Sequence, residues 1–355
     1  MSGVRYILFA PASILFMLAC SGQEPAAAEP VNVPPAELSS EEQPDAAFTS
    51  KLGGHNVTGE FRECFRDLQP HLTDENKKTL NQYDILLVHG FLGEVGIKVA
   101  GFLDKFSSKQ HLVDYLKDQR KASEELGLTV KVARFRSESL DASAIKIAKT
   151  ISENERPMIV FSHSKGSLDT LDALLRLERE GKLSHVAGWI SCQGPFYGSP
   201  DADEFFQHPL HFLGNRILVK LLGADVDAIR DLTTTEREHY VALHRTDIER
   251  ITKKIPVLCF ASWEQMLKAK SGSSAPGAGA ANELFSDGSL PAESAILPGT
   301  DYIAKSGISH SMTVIKRAVP YDRVTFTKTL LVMLSERIKQ AQEQASSLQF
   351  VEVVH

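Results

Sequence analysis

With 355 residues, 43% of them hydrophobic, the chain is long enough for one large domain or two small ones. A net charge of −6 and the lack of a long basic run argue against nucleic acid as a natural partner. The four cysteines, Cys20, Cys64, Cys192 and Cys259, lack metal-ligand spacing and imply no disulfide scaffold.

Residues 1–20 read as an export signal. Arg5 and the amino terminus give a short positive region, and the apolar run Tyr6 to Ala19 is too short to span a bilayer core of roughly 30 Å. The segment ends Leu18-Ala19-Cys20-Ser21, which resembles a bacterial lipoprotein cleavage box. The resemblance implies cleavage before Cys20, lipidation of that residue and retention on a membrane surface in the cell envelope. Simple export, periplasmic or secreted, is the alternative. Residues 21–57 read as a disordered tether, with Gln23 to Ser50 crowded with Pro, Ala and Glu.

A single globular domain is expected from Thr58 to His355. Short helices are predicted over Glu60–Leu68 and Thr73–Leu80, longer ones over about Ser108–Leu126 and Asp141–Glu153, and a closing helix over Asp322–Ala345. Strands are predicted at Asp84–His89, Thr129–Phe135, Pro157–Phe161, His185–Ser191, Ile255–Ala261 and Asp301–Ala304. Strands alternating with helices predict a mostly parallel sheet covered on both faces. The excursion over about 200–254 reads as a helical cap rich in Phe and Leu, and Ser271–Asn282 as a Gly/Ala/Ser loop. Asp225, Asp227 and Asp231 read as a solvated helix face, and Phe350–His355 as an edge strand or a free tail. Cys192 and Cys259 fall in neighbouring strands and read as buried thiols, with a disulfide left open by export.

The stretch that carries chemistry is Phe161-Ser162-His163-Ser164-Lys165-Gly166, between the third of the central strands and a helix whose Leu168, Leu171, Leu174, Leu175 and Leu177 fall mainly on one face. Strand, sharp turn with serine at its apex, then helix is the geometry of a nucleophile elbow, which needs small residues two before and two after the serine. Ser162 and Gly166 supply them. A serine hydroxyl needs a base, and the base needs a carboxylate to hold its tautomer. The expected chain order is Ser, Asp or Glu, His, and Asp287 and His310 each follow a late strand in that order. Two backbone donors are needed for a developing oxyanion, and the amides of Lys165 and Phe91 are the candidates. His89 and His163 read as structural.

Val88-His89-Gly90-Phe91, the elbow, Gly194-Pro195-Phe196-Tyr197-Gly198-Ser199 and Ser286-Asp287-Gly288-Ser289-Leu290-Pro291 together resemble bacterial true lipases of the α/β-hydrolase fold. Asp231-Leu232-Thr233 and Ala261-Ser262-Trp263 are similar to them too. Across about Tyr83–Val319 the resemblance implies an α/β-hydrolase, with Ser164, Asp287 and His310 as its triad and Phe91 and Lys165 as its oxyanion donors. It also implies a pocket lined by Phe196, Tyr197 and Leu92. No cofactor is implied, and Met312 stands where such enzymes carry a calcium-ligating Asp, so no metal is expected there. The expected activity is a lipase or esterase acting on an ester or lipid substrate. An acyltransferase, thioesterase or amidase with the same triad, or a silent binding lipoprotein, is the alternative.

Overall fold

The computed structural model describes residues 50–90, 115–133, 139–207, 226–268, 283–315 and 320–353. Its strands are β1 (His55–Asn56), β2 (Asp84–Val88), β3 (Val130–Ala133), β4 (Met158–His163), β5 (Val186–Cys192), β6 (Val257–Trp263), β7 (Gln265–Lys268), β8 (Glu283–Ser286) and β9 (Asp301–Ser306). Seven of them form one sheet in the order β1-β9-β6-β5-β4-β2-β3, and every neighbouring pair in it is parallel.

Alternation along each strand sorts the core into two layers. Leu86 and Val88 of β2, Met158 and Val160 of β4, and Cys259 and Ala261 of β6 face one layer. Ile85, Leu87, Ile159, Phe161, Leu258 and Phe260 face the other. Burial on both faces is why these strands read as continuous apolar runs. The first layer is closed by α4 (Leu140–Ser152) and α5 (Lys165–Arg179), the second by α1 (Thr58–Arg66), α3 (Lys117–Glu125) and α10 (Arg323–Val353), with α2 (Asp74–Leu80) beside α10. Helices cover both faces, as the alternation of elements requires.

The two layers also settle the cysteines. Cys192 points into one layer and Cys259 into the other, so no bridge joins them, and both, like Cys64, are buried free thiols. Burial pushes the Cys64 and Cys259 thiols up to about 11.

Several expectations need correction. Residues 50–57 are part of the fold, not of a tether. The Ser50 amide donates to the Tyr302 hydroxyl at 3.2 Å, Val57 is buried, and His55–Asn56 pairs with β9 as an edge strand. Two residues are too few to show alternation in sequence. The pair β7–β8, antiparallel and outside the main sheet, was likewise not expected.

The cap is smaller than 200–254. Among the described residues it contains α6 (Pro200–Gln207) and α7 (Val226–Arg230), whose Ala202, Phe205, Val226 and Ile229 form a small apolar cluster of their own. By contrast, α8 (Thr234–Leu243) and α9 (Arg245–Lys254) bury Val241, Ile248 and Ile251 in the main core and belong to the layer over the sheet. The backbone of α10 continues as a helix to Val353, so the tail is not an edge strand. The export segment, Cys20, the bulk of the tether, the Ser271–Asn282 loop, and the cap's Leu210 to Leu222 lie outside the described residues. Among the described residues no helix is long and apolar enough to cross a membrane.

Candidate active site

All the sequence-predicted catalytic side chains arrive at the carboxyl ends of the parallel strands, where open α/β sheets place their sites. Ser164 follows β4 directly and adopts φ 54°, ψ −134°, a left-handed conformation that side chains resist. The surroundings enforce it. The Ser164 amide donates to the Cys192 carbonyl at 3.0 Å, and the chain must turn at once into α5. Gly166 is needed there because a Cβ would stand 2.4 Å from the His89 carbonyl oxygen. Gly90 is needed opposite, since its Cβ would meet that of Ser164 at 2.8 Å.

Ser162 fills the other small position of the elbow with a function of its own. Its hydroxyl accepts from Trp189 Nε1 at 2.8 Å and pairs with the Ser167 hydroxyl at 2.9 Å. Both Ser162 and Trp189 are wholly buried. Replacing Ser162 by Ala orphans the indole N–H, and we expect a loss of about 1–3 kcal/mol in stability, read by urea unfolding.

Asp287 is presented by a turn that its own sequence dictates. Asp-Gly favours an Asx-type turn. Asp287 Oδ1 accepts the amides of Ser289 and Leu290 at 2.9 and 2.8 Å, while Gly288 takes φ 91°. The pair β7–β8 places this turn beside the end of β9, and the His310 amide donates to the Asp287 carbonyl at 2.9 Å.

These loops bring the three side chains into line. His310 Nδ1 lies 2.8 Å from Asp287 Oδ2, and His310 Nε2 lies 2.9 Å from Ser164 Oγ. A carboxylate only accepts, so the ring proton sits on Nδ1 and Nε2 accepts from the serine hydroxyl. Asp287 is buried, whereas Ser164 and His310 are partly accessible. A serine able to pass its proton to a histidine held by a buried carboxylate is equipped for nucleophilic attack.

Lys165 opens α5, so its amide lies in the first turn, where helix geometry supplies no acceptor. Its side chain turns inward and donates to Asp169 at 2.6 Å, both residues being buried. Burial pushes the Asp169 carboxyl up to about 6 against the pull of the Lys165 ammonium, with Asp231 and Arg237 also acting on it. Asp231 is therefore not part of a solvated face. It is partly buried and accepts the Leu140 amide at 2.8 Å, tying the cap to α4, while burial raises its carboxyl.

The pocket residues fare differently. Phe196 is wholly buried in the main core, edge-on to Trp189 with ring centroids 5.8 Å apart, and presents no surface to a substrate. Tyr197 is half-buried against the same core, with its amide donating to Ser294 Oγ at 3.1 Å. Phe91 and Leu92 lie outside the described residues. Met312 is buried in the apolar layer with Ile308 and Val314. Among the described residues no group of three or more His, Cys, Asp or Glu side chains is placed to hold a metal ion.

Beneath the triad lies a supporting layer of His163, read as structural from the sequence, together with Tyr115 and Gln193, which sequence reasoning missed. His163 Nε2 lies 2.8 Å from the His310 carbonyl oxygen, and Nδ1 lies 2.7 Å from the Tyr115 hydroxyl. Gln193, at φ 52° and wholly buried, reaches both the acid and the histidine loops. Burial, then the neighbouring His310, lowers His163 from 6.5 to about 3. A histidine that stays neutral when folded but charges when unfolded adds no acid sensitivity above pH 6.5 and erodes stability as pH falls toward about 3. We expect His163→Gln to lose stability less steeply with acidification than the wild type, measured by urea unfolding along that range.

Comparisons with known proteins bear on the fold. A sequence profile of the lecithin:cholesterol acyltransferase family matches residues 139–208, the segment from α4 through the elbow to α6. Search of curated proteins finds no match. Among solved structures, the metagenomic carboxyl esterase MGS0156 superposes with a TM-score of 0.57 at 16% identity, covering 81% of this chain and 94% of that one. The mature lipase BlEst2 of Bacillus licheniformis gives 0.46 at 18% identity over 71% and 89% of the two chains. A soluble variant of the monoglyceride lipase of Saccharomyces cerevisiae gives 0.40 at 14% over 73% and 87%. The parallel sheet with helices on both faces and the structural likeness to the carboxyl esterase together establish that this chain has the α/β-hydrolase fold.

Proposed function

We propose that the protein is a serine carboxylic-ester hydrolase of the lipase or esterase type. The observation that carries this reading is the hydrogen-bonded line from Ser164 through His310 to Asp287, with the serine at a strained turn. Ser164 Oγ attacks the ester carbonyl while His310 Nε2 takes its proton. Asp287 holds the ring and stabilises the charge that forms on it. The amides of Lys165 and Phe91 receive the negative charge that develops on the carbonyl oxygen. His310 returns the proton to the departing alcohol, leaving an acyl-Ser164 ester. Water, deprotonated by His310, then releases the carboxylic acid and restores the serine. The fold shared with a protein named as a carboxyl esterase supports this reading.

The match to an acyltransferase profile over the elbow favours one second reading, in which an alcohol other than water takes the acyl group. The chemistry differs in acceptor alone. In either case we place the enzyme on a membrane surface of the bacterial envelope, held by lipidated Cys20.

The test is the initial rate on p-nitrophenyl esters from acetyl to palmitoyl, with and without added alcohol. Turnover that rises with chain length marks an apolar acyl site, each buried methylene being worth about 0.8 kcal/mol. A short-chain optimum marks an esterase. Ester product formed at the expense of acid favours transfer, and a folded protein inert to every ester contradicts the proposal.

A further inference from the structure

Gln193 stands at the end of β5 with no accessible surface, in a left-handed conformation at φ 52° that a glycine would adopt more easily. Its side chain is the junction of four segments. Nε2 lies 2.6 Å from Ser262 Oγ on β6, 3.1 Å from the Ser309 carbonyl oxygen and 3.2 Å from Asp287 Oδ2. Oε1 accepts from Thr313 Oγ1 at 3.0 Å and faces His163 Nε2 at 3.3 Å. Its own amide donates to the Phe260 carbonyl at 2.7 Å.

The orientation of the amide group follows from a chain of donors that starts at a group with no choice. The Gly90 N–H can only donate, and it donates to the Tyr115 hydroxyl at 2.9 Å. The His310 carbonyl oxygen can only accept, so His163 carries its proton on Nε2, and its Nδ1 takes the Tyr115 hydroxyl proton at 2.7 Å. That Nε2–H donates to the His310 carbonyl and faces the acceptor end of Gln193. Gln193 must therefore present its NH2 to Asp287. A flipped amide would set donor against donor at His163 and acceptor against acceptor at Asp287.

The consequence falls on Asp287 Oδ2, the oxygen that holds His310. Oδ1 is anchored by two backbone amides, and Oδ2 receives His310 Nδ1 and a share of the two Gln193 Nε2 protons, which also serve Ser262 and the Ser309 carbonyl. We propose that Gln193 is a positioning residue for the reaction: its side-chain N–H, oriented through Tyr115 and His163, locks the Asp287 carboxylate and the His310 loop into the geometry that aims His310 at Ser164. It touches no reacting atom and acts through Asp287 and the Ser309 carbonyl. The proposal rests on the serine-hydrolase reading of the site.

Gln193→Met keeps length and volume but removes the donor and the acceptor. The expected result is a kcat reduced on the order of 10²-fold with KM within about twofold, since misaimed groups raise the barrier without weakening substrate binding. The downfield proton resonance of His310 Nδ1–H, assigned by its loss in His310→Ala, should move or broaden beyond detection in the same variant. Unchanged kcat together with an unmoved resonance overturns the proposal. An equal change in kcat and KM with the resonance intact does so too, because it marks a purely structural role.

Should Gln193→Met fail to fold, Gln193→Glu keeps the shape. Asp287, His163 and the His310 loop face that side chain, and Asp201 of α6 is near enough to feel both His310 and Asp287. A Glu here serves as donor while protonated and repels Asp287 once ionised. Its kcat should thus match the wild type at low pH and fall as pH rises, a limb that the wild type lacks. Parallel pH profiles for the two proteins overturn the proposal. The resonance is read without turnover, so a wild type that hydrolyses no ester refutes the proposed function while the resonance still decides the role of Gln193.

Discussion

Ser164→Ala should lower ester hydrolysis by roughly 10⁵-fold or more while leaving the fold intact. The magnitude follows from what the hydroxyl does. Without it no acyl-enzyme forms, and His310 has no nucleophile to activate at 2.9 Å. What remains is the contribution of the oxyanion donors and of binding alone, and such residual catalysis is small beside the intact triad. The structural expectation is as definite. Ala meets the same left-handed strain at φ 54° as serine does, and the amide at this position keeps its bond to the Cys192 carbonyl. Thermal and urea midpoints should therefore stay close to the wild type. A variant with full turnover removes Ser164 from the chemistry, and one that is unfolded gives the hydroxyl a structural role that this account does not assign to it.

Asp287→Asn should cost roughly 10⁴-fold in turnover with little change in KM. The two carboxylate oxygens of Asp287 both accept, Oδ1 from two backbone amides and Oδ2 from His310 and Gln193. An asparagine has one acceptor and one donor, so one end must oppose its partners. If its NH2 faces His310, the ring is forced into the tautomer with its proton on Nε2, which cannot take the proton of Ser164. If its NH2 faces the turn, it meets the amides of Ser289 and Leu290, and the loop that delivers His310 is displaced. Either way the imidazolium formed during attack loses its counter-charge. Parallel measurement of kcat and KM for this variant checks the account, and turnover within tenfold of the wild type would contradict it.

How much of this was legible in the sequence depended on where the information sat. The central strands were readable because both faces are buried, so Ile85–Val88 and Val257–Ala261 are apolar runs too short for a core helix. The elbow and the Asp-Gly turn were readable because each is a local device, set by residues within a few positions of one another. The pocket was not. Phe196 sits in a motif that suggested a pocket floor, yet its ring is swallowed by the core against Trp189, a contact between segments that no local pattern encodes. The same holds for α8 and α9, whose apolar faces suit a cap and a core layer equally well until Ile248 and Ile251 are seen against α5.

Gln193 and His163 show the limit most plainly. Each is a polar residue beside a recognisable motif, and its role arises from loops that converge after β4, β5, β6 and β9. A buried glutamine in a left-handed conformation just after a strand is a signal in the structure alone. In sequence it is one more polar residue before Gly-Pro.

The central claim is that Ser164 is a nucleophile activated by His310, and labelling with a fluorophosphonate tests it without presupposing a substrate. The account predicts rapid stoichiometric labelling, mapped by peptide mass spectrometry to Ser164, that is abolished in Ser164→Ala and slowed severely in His310→Ala. A folded wild-type protein that takes up no label, or takes it up at another residue, would contradict it.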